Sequence, residues 1–205
     1  MNEKVNKMLK MYKSTWLFYY NKIKLMLIPF IKIETLIPNE GFIIDLGCSH
    51  GLFANMIALN SEKREVLGLD INKKRIEHAN IGIKNASFKA GDITKIEIPK
   101  ADCIILTHVI HHIPLYEDQI KLLRSCYDKL KIGGKIIIVE LDKFPKWKYL
   151  MCLITDKLLY PLDKTNYRSS ENLQDLLKKY NFEVEAIPMH FRSIYSHITY
   201  MAKKI

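Results

Sequence analysis

The 205-residue sequence predicts an α/β domain in which helices cover both faces of a mainly parallel sheet. Three observations predict it. Short apolar runs alternate with helical patterns through residues 41–140, as βαβ units do. A helix and two further strand-like runs close the chain. The length suits one domain with a full core.

The elements follow in order. Val5, Met8, Tyr12, Trp16, Tyr19, Ile23 and Met26 recur at three- and four-residue steps. They predict an N-terminal helix with one apolar stripe, ended or kinked by Pro29. Strands are expected at 42–46, 66–70, 87–90, 102–107 and 135–140, and helices at 52–59, 73–83 and 118–130. An apolar and aromatic stretch spans 144–160. Within it Trp147, Leu150, Met151, Ile154 and Leu158 keep helical spacing. Ser169 reads as the N-cap of a helix over 170–180. Strands at 182–188 and 197–203 complete the chain. One domain, 1–205, therefore has four parts: a helical N-terminal extension (1–40), a core (41–140), an insert (141–168) and a closing helix with a β-hairpin (169–205).

With 48% hydrophobic and 26% charged residues, disordered and fibrous classes are excluded. The net charge of +10 is uneven. Residues 1–40 carry +4, residues 41–140 +2 and residues 141–205 +4. Lysines outnumber arginines 27 to five, which disfavours base readout by arginine forks. Cys48, Cys103, Cys126 and Cys152 show no zinc-ligand spacing and are expected as buried free thiols; no metal site is expected. The uncharged runs at 14–21 and 25–31 are far shorter than the roughly 20 residues that span a bilayer. No small-residue cleavage site follows the N-terminal lysines, so a cytoplasmic protein is expected.

The chemistry concentrates in FIIDLGCSHG, residues 42–51. An apolar strand enters a glycine-containing turn and a helical pattern follows. Such a turn lets a ligand approach the backbone at Gly47, while the helix N-terminus offers free N–H groups. The second strand ends in LGLDIN, and Asp70 there is placed to accept hydrogen bonds from ribose hydroxyls. Dinucleotide enzymes share that spacing, so the turn must arbitrate. Asp45, at the strand end, repels a phosphate and attracts an ammonium. The ligand that fits has an amino acid at one end and a nucleoside at the other, as S-adenosylmethionine does.

Here the chain resembles the class I S-adenosylmethionine-dependent methyltransferases, small-molecule type. Their first motif, roughly D-x-G-C-G-x-G, stands as DLGCSHG with Ser49 in place of the middle glycine. A serine at that position calls for a negative φ. KAGDI (89–93), ADCIILTHVIHHI (101–113) and LKIGGKIIIVE (130–140) match later motifs in order, so the resemblance covers about half the chain. It implies a Rossmann-like seven-stranded sheet in the order 3-2-1-4-5-7-6, with the last strand antiparallel. It implies a donor site formed by Asp45, Gly47, Cys48, Ser49 and Gly51, by Asp70 and Ile71, by Gly91, Asp92 and Ile93, and by Thr107 and His108. In that site Asp70 would hold the ribose and Asp92 the adenine amino group. The cofactor would be S-adenosyl-L-methionine, with S-adenosyl-L-homocysteine as product.

Each residue also has a plainer reading. Asp45 as a cap of the following helix, Asp70 as a surface acid, Asp92 as a turn stabiliser and Cys48 as a packing residue all remain open. His50 faces either the donor's carboxylate or solvent. His111 and His112 are candidate general bases for a hydroxyl acceptor, with packing of the next helix as the alternative.

The extension and the insert are rich in aromatics and lysines, including Trp16, Phe18, Tyr19, Tyr20, Phe144, Trp147, Tyr149, Tyr160 and Tyr167. They suit either ordinary packing or a cap over an apolar or lipid-like acceptor, with lysines resting on an anionic membrane surface. The expectation is methyl transfer to a small-molecule or lipid-like acceptor by in-line displacement, with nucleic acid disfavoured as a partner. An RNA methyltransferase and a non-catalytic donor-binding regulator are the alternatives.

Overall fold

The computed structural model describes residues 3–159, 165–189 and 195–205. Tyr160, counted above among the cap aromatics, lies outside them. The elements are α1 (Glu3–Met11), α2 (Thr15–Leu27), α3 (Phe30–Glu34), β1 (Gly41–Leu46), α4 (Leu52–Asn60), β2 (Arg64–Asp70), α5 (Lys73–Ala79) and β3 (Ala86–Ala90). Then come β4 (Ala101–Thr107), a 3-10 turn (Ile110–His112), α6 (Tyr116–Lys129), β5 (Leu130–Leu141), α7 (Lys146–Leu159), α8 (Ser170–Lys179), β6 (Phe182–Pro188) and β7 (His197–Lys204).

The seven strands form one sheet in the order β3-β2-β1-β4-β5-β7-β6. The pairs from β3 through β5 are parallel, and β7 runs antiparallel to both β5 and β6. This is the expected architecture. Alternation along the central strands builds two cores. Ile44, Ile104 and Ile136 face one way, onto Leu122 and Leu123 of α6 and Leu173 and Leu177 of α8. Ile43, Cys103 and Ile137 face the other, onto Met8 of α1, Ile33 of α3 and Ile57 of α4. All four cysteines are buried free thiols. Among the described residues no helix is long and apolar enough to cross a membrane.

Three boundaries differ from the sequence expectation. The N-terminal stripe does not stay on one face. Tyr12 turns inward, its hydroxyl donating to the His50 carbonyl at 3.1 Å and accepting from Asn55 Nδ2 at 3.3 Å. The helix breaks there and restarts at the extended N-cap Ser14. Val5, Met8 and Tyr12 are buried, but Trp16, Tyr19, Ile23 and Met26 face outward. Helix α5 stops at Ala79, short of 83, because Asn55 Nδ2 donates to the Ala79 carbonyl at 2.8 Å and Gly82 takes φ +87°. Strand β5 starts at Leu130, five residues before the apolar run, because Leu130 already pairs with Ala101 across an irregular register. The helix of the insert forms as α7, yet Trp147, Leu150, Met151, Ile154 and Leu158 are exposed and do not pack as core.

One buried cation clamps the extension to the sheet. Arg64, at the start of β2, is 2% exposed. Its Nη1 pairs with Glu34 Oε1 of α3 at 2.5 Å and donates to the Ile57 carbonyl at 3.2 Å, while Nε donates to the Pro38 carbonyl at 2.7 Å. Removing one member of such a pair leaves the other charge uncompensated. Arg64→Ala should lower the unfolding free energy by about 3–5 kcal/mol in urea titrations; a change within about 0.5 kcal/mol would show the clamp carries no stability.

Candidate functional site

The turn after β1 is held by the end of β2. The amides of Gly47 and Cys48 both donate to the Leu69 carbonyl, at 2.7 and 2.9 Å. The Ser49 amide donates to Asp70 Oδ2 at 2.9 Å, and Asp70 Oδ1 accepts from the Asn72 amide at 2.8 Å. Gly47, Ser49 and Gly51 lie at φ +76°, +54° and +70°. The expected negative φ at Ser49 is therefore corrected. The bond to Asp70 compensates for a left-handed serine, a conformation that costs an L-residue roughly 1–2 kcal/mol. A Cβ on Gly47 would sit 2.4 Å from Val109 Cγ2, so only glycine fits.

A cavity of about 850 Å³ opens above this turn, within the usual range of small-molecule sites. It crosses the ends of β1, β2 and β3, where Asp45, Asp70, Ile71, Asp92 and Ile93 stand, and continues past Thr107 and His108 beyond β4. Cys48, Ser49 and His112 also reach its wall. Three expected site residues do not. Gly51 caps α4, and a Cβ there would meet Ala79 and Phe88 at 2.6 and 2.8 Å. Gly91 backs onto Ile96. His111 is buried behind the wall. Its Nδ1–H donates to Glu140 Oε2 at 2.5 Å, and its ring stacks on Tyr167. Glu140 Oε1 accepts from the Ile110 amide at 3.0 Å, so this pair fixes the 3-10 turn that presents His112.

The electrostatics divide the site. Asp45 is 2% exposed; burial pushes its carboxyl up to about 7. Lys24 of α2 and the Ala54 amide oppose that rise, and Asp70 adds to it. Asp92 is held below the usual carboxylate range by the Thr94 hydroxyl at 2.7 Å and the Thr94 amide at 3.0 Å. Its turn-stabilising contacts thus coexist with a place on the wall. His50 turns to neither solvent nor open cavity alone. It is 8% exposed, stacked on His78, with the rings of Trp16 and Tyr20 edge-on. Burial, then the nearby positive groups, push it down to about 4.

The motifs do not reveal the far wall. It includes Asn21 and Lys24 from α2, Cys152 and Thr155 from α7, and Tyr195 and His197 beside β7. The Tyr195 hydroxyl bonds Thr155 Oγ1 at 2.8 Å, tying α7 to the sheet edge. Polar residues inside an apolar helical run, Asn21 and Lys24, are the signal of this wall in the sequence. Among the described residues no group of three or more His, Cys, Asp or Glu side chains could hold a metal ion. The residues do fit a nucleoside with an amino-acid end: a left-handed glycine cradle, a buried acid and an acid anchored at the next strand end lie on one wall.

Comparison with known proteins agrees. The family described as "Methyltransferase domain" matches residues 24–187. Demethylmenaquinone methyltransferase of Thermotoga maritima is 24% identical over 172 residues, 75% of each chain. Phosphoethanolamine N-methyltransferase 3 of Arabidopsis thaliana is 34% identical over 124 residues, 57% of this chain and 24% of that protein. Caffeic acid 3-O-methyltransferase of Capsicum chinense is 31% identical over 100 residues, 48% of this chain and 26% of that protein. The aligned part is thus about a quarter of the length of these last two relatives. Among solved structures, magnesium protoporphyrin IX methyltransferase from Synechocystis with bound SAH superposes with a TM-score of 0.68 at 16% identity, covering 98% of this chain and 94% of that one. That likeness is one of fold.

Asp45 carries a pH signature. Its folded pKa of about 7 lies above the unfolded value of about 3.9, so the folded protein holds a proton the unfolded chain has lost. Stability contributed by that proton is lost as pH rises from about 4 through 7. Asp45→Asn should therefore gain on the native protein between about pH 5 and pH 8, by several degrees in thermal melts. Parallel curves would contradict a perturbed carboxyl.

Proposed function

Because the chain belongs to the class I S-adenosylmethionine-dependent methyltransferases, we propose that it transfers the donor's methyl group to a small, largely apolar acceptor held in the same cavity. The observation that carries this reading is the Asp45–Gly47–Asp70 wall: a buried acid, a left-handed glycine and an anchored acid around one turn. Asp45 faces the donor's ammonium end. Asp70, its carboxylate oriented by two backbone amides, takes the ribose hydroxyls. Ile71 and Ile93 flank the base, and Asp92 takes its amino group. When bound, the donor supplies a methyl already made electrophilic by its sulfonium. The work left to the chain is alignment and exclusion of water, which account for a large share of such a barrier. Of the two candidate bases, His112 is on the cavity wall, and it takes the proton of a hydroxyl acceptor. His111 is a positioning residue that holds the turn through Glu140.

The cap supports a lipid-side location. Trp16, Tyr19, Ile23 and Met26 on α2, and Trp147, Leu150, Met151 and Leu158 on α7, are exposed. Residues 4–33 hold seven lysines and no acid, and residues 143–155 hold three lysines and no acid. Apolar side chains framed by cations suit the surface of an anionic bilayer, where each lysine contributes about 1 kcal/mol. Both helices also wall the cavity, so a lipid-like acceptor has a short path into it.

Two experiments test this. Asp70→Ala should weaken donor binding at least tenfold in calorimetry and abolish label transfer from methyl-labelled donor into a lipid extract; unchanged affinity would remove Asp70 from the site. Vesicles with about one third anionic lipid should co-sediment several times more protein than neutral ones. Equal binding would overturn the membrane contact.

A further inference from the structure

The donor's amino-acid end carries a charge that the wall of acids does not meet. Its ammonium and carboxylate sit on the same carbon. An ammonium held at Asp45 therefore brings a carboxylate to a wall that also carries Asp70. Like charges at such range repel unless a cation stands opposite them. His50, next along the turn, does not supply one. Burial, then Arg75, His78 and Lys24, push it down to about 4, so its ring is neutral near pH 7. Among the described residues, the ammonium and guanidinium groups on the cavity wall are those of Lys24, Arg75 and Lys95. Lys95 pairs with Asp92 at 3.2 Å, beyond the end of β3. Arg75, on α5, acts on His50 but not on Asp45. The charge of Lys24 is felt at Asp45, Cys48, His50 and His108, from the end of β1 to the loop after β4.

Helix α2 sets Lys24 over the donor turn. The Tyr20 ring is edge-on to His50 with centroids 5.5 Å apart, and Trp16 meets the same imidazole at 5.6 Å. Lys24 follows Tyr20 by one turn, on the same face of the helix. Its Nζ lies 5.5 Å from the Tyr20 ring centroid. It is half-buried, whereas Lys22 on the same helix is exposed. Helix and turn each carry a polar side chain that lacks a protein partner. Asn21 is 0% exposed with both amide atoms unpaired, and it shares the cavity-facing stripe with Tyr20, Lys24, Leu27 and Ile28. Ser49 Oγ, in the turn itself, is also sealed and unpaired, and Ser49 lines the same cavity. Buried polar groups are normally paired, so orphans on both elements of one cavity mark a polar ligand's place.

We infer that Lys24 recognises the α-carboxylate of the donor, so that the N-terminal extension completes the donor site and selects donors that carry this group. The inference rests on the methyl-transfer reading for the identity of the donor. Asp45 takes the ammonium from below, and Lys24 takes the carboxylate from the helix side in a charge-assisted hydrogen bond. The Asn21 amide, one turn earlier, has two N–H donors to offer the same group. Most of α2 precedes the residues that the family matches, so the contact belongs to the extension rather than to the shared core.

The test compares two donors, S-adenosylmethionine and its decarboxylated form, titrated calorimetrically into the full chain near pH 7.5. The acids alone favour the decarboxylated form, which carries one negative charge fewer. The native chain should nonetheless bind the intact donor about tenfold more tightly or better, the usual effect of a hydrogen bond to a charged group. Lys24→Met should remove that preference, Lys24→Arg should retain it and Arg75→Met should leave it in place. Thermal melts report whether each variant is folded, and the comparison of donors on the native chain needs no variant. Equal affinities, or a preference for the decarboxylated form, in the native chain overturn the inference and leave the donor reading standing. So does a preference that survives Lys24→Met, that Lys24→Arg loses as fully as Lys24→Met, or that Arg75→Met abolishes. Binding of neither donor at millimolar concentration removes the donor reading and this inference with it.

Discussion

The bond from the Ser49 amide to Asp70 ties two strand ends together, and the site depends on it. It holds a serine in a left-handed turn that the residue would not choose. It also leaves the Asp70 carboxylate oriented at the cavity wall and 5% exposed. Gly47 alongside has no alternative residue, since Val109 fills the space a side chain would need. The turn is thus made by contacts from β2 and from the loop after β4, rather than by its own sequence alone.

From that fixed point the cavity acquires a polarity along the sheet. Acids gather at the ends of β1, β2 and β3, where an amino-acid and nucleoside ligand is expected. The rings of His108, beyond β4, and His197, in β7, meet edge-on at 4.9 Å on the other side. The two groups of side chains are brought together by a sheet whose order differs from chain order: β7, last in sequence, sits next to β5. Helices α2 and α7 wall the cavity with residues such as Leu27 and Cys152 while an apolar stripe of each faces outward, which is why one pair of helices serves both a wall and an exposed apolar surface.

The fold was legible in particular residues. Alternation at Ile43 and Ile44, and again at Cys103 and Ile104, marks strands buried on both faces. Ser169 caps α8 as expected, its hydroxyl accepting from the Asn172 amide at 3.2 Å. That Asp45, Asp70, Asp92 and their neighbours share one wall was legible because they sit at strand ends at regular intervals. The break at Tyr12 was not, because the force that turns it inward comes from His50 and Asn55, some 40 residues away. The outward face of α7 was not either: helical spacing shows that a stripe exists but not which side of the helix meets the protein.

Sequence by itself determined the strands, the glycine turn, the two acids at 45 and 70 and the basic, aromatic ends. These follow from short-range rules of periodicity, turn conformation and charge. Tertiary structure alone decided that Ser49 is left-handed and that His111 stands behind the wall while His112 reaches it. It also decided that Asn21, His108 and His197 face one cavity. Those outcomes depend on which strands become neighbours, and neighbours far apart in the chain leave no periodic trace in it.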